Sequence, residues 1–131
     1  MLPSIGIAKD AWPYTVARML LGELSPDALA GFTLVQLSDL HVGPTIKRDY
    51  VEAVVDRVNR LDADVVVLTG DLVDGSVEPL RAHTAPLAGL RSRHGRYLVT
   101  GNHEYYAGAP AWLREFERIG LRGLHNAHVL I

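Results

Sequence analysis

From Phe32 onward, short unbroken apolar runs alternate with stretches in which apolar residues recur every three or four positions. Leu34-Val35-Gln36-Leu37 is the first such run, and Gly43-Pro44 marks the loop after it. Val51, Val54, Val55, Val58 and Leu61 then fall on one helical face, with Asp56 and Arg60 at i,i+4. Val65-Val66-Val67-Leu68 is a continuous, mostly β-branched run, as expected of a parallel strand covered on both faces. A loop from Gly70 to Gly75 leads to a weaker helical pattern carrying Leu80, Leu87 and Leu90. Arg96 to Thr100 predicts a third strand, followed by another glycine-bearing loop. Pro110 suits a first helical turn, Trp112, Leu113, Phe116 and Ile119 line one face, and Gly120 suits the C-cap. His128-Val129-Leu130-Ile131 predicts the start of a fourth strand. Strands alternating with helices imply an α/β fold: a parallel-strand β-α-β sheet with right-handed crossovers.

Residues 1–30 differ in character and are read as an N-terminal extension. Trp12, Val16, Met19, Leu20 and Leu24 lie near helical spacing and predict one amphipathic helix, whose apolar stripe is read as packing surface. Ser25-Pro26-Asp27 then punctuates the chain, and residues 31–131 read as one domain's worth or less.

Composition narrows the classes. A chain of 131 residues with 48% hydrophobic and 21% charged positions is ordinary for a folded soluble domain. A net charge of −2 does not indicate electrostatic nucleic-acid binding. There is no cysteine, so a metal would be held by His, carboxylate, amide or water ligands. No window approaches the roughly 20 apolar residues of a membrane span. Lys9, Asp10, Pro13 and Arg18 break any signal-peptide layout. The expectation is a cytoplasmic or membrane-peripheral protein, with an anchor upstream of this sequence left open.

The chemistry sits just after the strands. Asp39-Leu40-His41 follows the first, Gly70-Asp71-Leu72-Val73-Asp74 the second, and Gly101-Asn102-His103-Glu104 the third. In a parallel sheet the carboxyl ends of the strands share one edge, where open α/β folds place their sites. A spacing of two lets Asp39 and His41 point the same way if strand geometry persists one step further. Carboxylates crowded at such an edge repel each other unless they take up a proton or a cation. Carboxylate, imidazole and amide donors suit Mn, Fe or Zn, and a carboxylate between two such ions can bridge them. Singly, each acid reads equally well as a turn or cap residue; their joint placement after three strands favours a site.

These three motifs resemble those of the calcineurin-like metallophosphoesterase family, Asp-x-His, Gly-Asp-x-x-Asp and Gly-Asn-His-Glu, in the same order. The flanking text LVQLSDLHVG and VTGNHEYY looks most like its bacterial branch, which includes membrane-associated phosphohydrolases. The resemblance covers roughly the first half of that family's α/β sandwich domain. It implies that Asp39 and His41 bind a first divalent ion, that Asp71 bridges two, and that Asn102 binds the second through its oxygen. It implies that His103 donates a proton to the leaving oxygen of a phosphoester substrate, with Asp74 orienting its ring. Glu104 would support the loop. The family completes its metal sites with later histidines, including a Gly-His-x-His motif, and neither stands here. His125 and His128 read as ordinary histidines preceding the fourth strand. The expectation is therefore a metal-dependent phosphoester hydrolase in N-terminal fragment form, inactive alone. The alternative is a non-catalytic metal-binding or scaffold domain retaining half the site. A metal-free nucleotide-binding domain is disfavoured because no Gly-x-Gly-x-x-Gly or Walker loop follows the first strand.

Tyr105 and Tyr106 either flank the substrate or pack on the next helix, and Arg91, Arg93, His94 and Arg96 read as a solvated face at the opposite edge.

Overall fold

The computed structural model describes residues 31–127, 129 and 130, together with two earlier strands, β1 (Gly6–Ile7) and β2 (Thr15–Leu20). The further elements are β3 (Thr33–Ser38), α1 (Arg48–Arg60), β4 (Val65–Leu68), α2 (Val77–Thr84) and a 3-10 turn (Ala85–Gly89). They continue with β5 (Arg96–Leu98), α3 (Asn102–Ala107), α4 (Ala109–Arg118) and β6 (Arg122–Gly123). All six strands form one sheet in chain order. β3 to β6 are parallel, as the alternation of strands and helices implied, whereas β1 and β2 join antiparallel.

Thr15–Leu20 is a strand rather than part of a helix, paired with β3 from Thr15↔Ser38 to Leu20↔Thr33. The helical spacing of Val16, Met19 and Leu20 was a local signal only. An unpaired β3 edge offers this segment a full ladder, and tertiary pairing overrides a weak local preference. Trp12 and Leu24 lie outside the described residues. The fourth parallel strand is Arg122–Gly123; of the run expected to start one, His128 and Ile131 lie outside the described residues. Gly120 ends α4 in a left-handed conformation (φ 94°), so the chain reverses at once. Fully buried Leu121 then anchors it, and the Leu124 amide donates to the Leu98 carbonyl at 2.8 Å. Val129 and Leu130 are not in a strand. His125 thus follows β6.

α1 packs on α2 and the 3-10 turn, and α2 on α4, so the helices lie side by side. With right-handed crossovers in a sheet that grows in one direction, they cover one face. Strand burial agrees. Val35 and Leu37 are fully buried while Leu34, Gln36 and Ser38 are half-buried, and Val67 is only half-buried within β4. The two-face cover read from Val65–Leu68 is therefore incomplete. The core under the helices comprises Val51, Val54, Val58, Leu80, Leu87, Leu98, Trp112 and Phe116, among others. Trp112 stacks on Phe116 at 5.1 Å and donates its indole N–H to the Gly75 carbonyl at 2.8 Å, tying this core to the loop after β4. Among the described residues no helix is long and apolar enough to cross a membrane.

The amino end of the sheet is held by Asp64. Its Oδ2 accepts the Thr33 amide at 2.7 Å and the Thr33 hydroxyl at 3.1 Å, and its Oδ1 accepts from Arg93 at 2.9 Å. Arg93, read as solvated, is thus engaged at the edge opposite the candidate site. The Thr33 amide and Arg93 outweigh burial and hold the Asp64 carboxyl below its usual 3.8. A depressed carboxylate contributes stability above its unfolded pKa and loses it as pH falls through the folded one. Asp64→Asn is therefore expected to cost about 2 kcal/mol at pH 7. The gap should close as the pH falls below 3.8. Urea melts at both pH values check this, and a gap that does not change with pH would contradict it.

Candidate metal centre at the carboxyl edge of the sheet

β3, β4 and β5 end at Ser38, Leu68 and Leu98, and the segments that follow them converge. The first two run side by side beyond the regular sheet. The amides of Asp39, His41 and Val42 donate to the carbonyls of Gly70, Asp71 and Leu72 at 3.1, 3.1 and 2.9 Å, and the Asp74 amide donates to Val42 at 2.8 Å. Leu40, Val42, Leu72 and Val73 turn into the core and are essentially inaccessible. The polar residues between them are left at the surface. Strand geometry does not persist as expected: Asp39, His41 and Asp71 take left-handed backbone conformations with φ of 60°, 51° and 54°. Each costs about 1–2 kcal/mol for a residue with a Cβ. Such outliers cluster where a site over-determines the backbone.

The third segment arrives through glycine. A Cβ on Gly70 would stand 2.6 Å from the Gly101 nitrogen, and one on Gly101 would stand 2.3 Å from Asp71 Oδ1. The Gly-Asn-His-Glu segment, read as loop, opens α3, whose N3 residue is Glu104. Glu104 is fully buried, and its carboxylate accepts the backbone amides of Gly101 (2.7 Å), Asp71 (2.9 Å), Leu72 and Val73 (3.2 Å). One acid thereby sets the spacing between the segments after β4 and β5. Its support of the loop was expected from the motif, but not that it would grip four amides.

The side chains meet above this scaffold. Asp74 Oδ1 contacts Nδ1 of both His41 (3.0 Å) and His103. The two rings lie edge to face at 4.5 Å. His41 Nε2 is 3.5 Å from Asp39 Oδ1, and the His103 amide donates to Asp71 Oδ1 at 3.1 Å. The Asn102 carboxamide faces both Asp71 oxygens at 3.0 and 3.2 Å. With its nitrogen inward it donates two hydrogen bonds; with its oxygen inward the contact is repulsive unless a cation lies between. Donor atoms of His41, Asp71 and His103 fall within 4.8 Å of one another, so His103 belongs to the tightest group and Asp39 stands at its rim.

The electrostatics favour positive charge. Burial lowers the His41 pKa, but the Asp74 hydrogen bond and the charges of Asp74, Asp39 and Asp71 raise it above 6.5 overall. Burial raises the Asp74 pKa, yet His41 and His103 bring it below 3.8. A field that draws a proton onto His41 would equally favour a divalent ion, for which the ring would have to give up that proton. The mixed oxygen and imidazole donors fit Mn, Fe or Zn, and the residues present suit such a group.

Fold and site together define an α/β domain with a histidine–carboxylate cluster that could hold a metal ion at the carboxyl edge of its sheet. The chain belongs to the calcineurin-like phosphoesterase family, which it matches over residues 32–129. It is 43% identical over 133 residues to a "transmembrane protein with metallophosphoesterase domain" of Danio rerio, covering 100% of this chain and 30% of that protein, with the same figures for that of Bos taurus. An uncharacterized metallophosphoesterase of Helicobacter pylori is 40% identical over 93 residues, 71% of this chain and 25% of the relative. The chain thus spans less than a third of these relatives. No solved structure matches it.

Proposed function

We propose that residues 31–131 supply the N-terminal part of a two-metal phosphoester hydrolase. The observation supporting this is the meeting of Asp39, His41, Asp71, Asp74, Asn102 and His103, from three strand ends, around Asp74 Oδ1 and the Asp71 carboxylate. In this reading Asp39 and His41 hold one divalent ion, Asn102 the other, and Asp71 both. When bound, the ions supply an activated water and offset charge developing at phosphorus. Asp74, bound to Nδ1 of His41, fixes the tautomer that leaves Nε2 free as a ligand, as carboxylates commonly do for metal-binding histidines. The same oxygen holds Nδ1 of His103, so the proton that His103 gives to the leaving oxygen departs from Nε2. Metal analysis and hydrolysis of an aryl phosphate by the full-length protein test the reading. Bound Mn, Fe or Zn is expected, with turnover lost on chelation and restored by the ion. Turnover that survives chelation, or none after loading with each ion, would refute it. The names of the vertebrate relatives also suggest work near a membrane, which fits peripheral association of this domain.

A further inference from the structure

Resting on that reading, we infer that the leaving-group side of the site accepts an uncharged, flat or apolar group, with Tyr106 as its platform. His103 and Tyr106 stand one helical turn apart on α3, their rings 6.2 Å apart and inclined at 64°. His103 and Tyr106 line one cavity, so a group whose oxygen takes the His103 proton has the Tyr106 ring within reach. A cavity of about 400 Å³ occupies that place, lined by Asp74, Gly75, His103, Tyr106 and Ala107. This is the scale of small-molecule sites.

Two features choose the ligand chemistry. First, Tyr106 is 82% exposed, and among the described residues only the edge-on His103 ring neighbours its own ring. An exposed aromatic face recovers its hydration cost by stacking on another flat or apolar surface. Second, among the described residues no Lys or Arg lines the cavity, and Asp74 does. Of the described lining residues, a diphosphate leaving group would meet one carboxylate and no cationic side chain. The nearby Arg81 and Arg118 are tied to Glu115, at 3.5 and 2.7 Å.

The test compares phenyl phosphate, methyl phosphate and inorganic pyrophosphate on the metal-loaded full-length protein and on Tyr106→Ala and Tyr106→Phe. The ratio of kcat/KM for phenyl over methyl phosphate is the readout, because intrinsic leaving-group reactivity cancels between variants. The ratio is expected to fall about tenfold in Tyr106→Ala, mainly through KM, and to persist in Tyr106→Phe. An unchanged ratio in Tyr106→Ala, or pyrophosphate as the best substrate of the parent, would overturn the inference while leaving the hydrolase reading intact. A parent that turns over none of the three refutes the hydrolase reading, and this inference with it.

Discussion

Asp71→Asn is expected to reduce phosphoester hydrolysis by about 10³-fold or more, because it removes the charge proposed to hold both ions. The substitution is nearly isosteric. Asn retains an oxygen for the His103 amide, now 3.1 Å from Oδ1, so the local fold should survive. What disappears is one negative charge in the cluster that draws positive charge onto His41. Metal content should therefore fall with turnover while the melting curve stays close to that of the parent. An Asp71→Asn protein that keeps its metal and its rate would show that another group bridges, or that none does. A protein that unfolds would show instead that Asp71 is chiefly structural. Asp71 has a left-handed backbone (φ 54°), which Asn adopts more readily than most residues. That feature favours a folded variant.

Glu104→Gln should act on stability first and on chemistry second. The carboxylate has two oxygens for four amides, and an amide side chain keeps only one of them. Its NH2 group would point at N–H donors in a site without solvent, where an unmatched donor has no alternative partner. Hydrogen bonds to a charged acceptor contribute about 1.5–3 kcal/mol, and orphaned buried donors cost similar amounts. A loss of about 3–4 kcal/mol is expected in urea melts. Because Glu104 links the amides of Asp71 and Gly101, metal affinity should also fall, by about 10- to 100-fold, as for outer-shell residues elsewhere. A Glu104→Gln protein as stable as the parent would mean that solvent reaches these amides.

The parts of the site that were legible in the sequence are those in which one residue type at one spacing does the chemistry. Asp39, His41, Asp71, Asp74, Asn102 and His103 follow three apolar runs, and the structure brings all six to one edge. The means were not legible. Asp39 and His41 approach each other through left-handed backbone and a ladder to residues 70–72, a pairing about 30 positions away in the chain. The convergence of both histidines on Asp74 Oδ1 could not be read either, since which ring a carboxylate meets depends on how two loops are spaced.

The sequence alone determined the parallel β-α-β rhythm from Phe32 to α4, because apolar periodicity reports directly which face of each element must be buried. It also supplied the candidate donors, because side-chain chemistry is carried by residue identity. Only the tertiary structure decided that Thr15–Leu20 is a strand, that β6 lies at Arg122–Gly123, and that Glu104 spaces the segments after β4 and β5. Each of these rests on hydrogen bonds between segments distant in the chain. Local pattern carries no record of a partner that lies elsewhere in the sequence, so such pairings emerge only once the core has set the elements side by side.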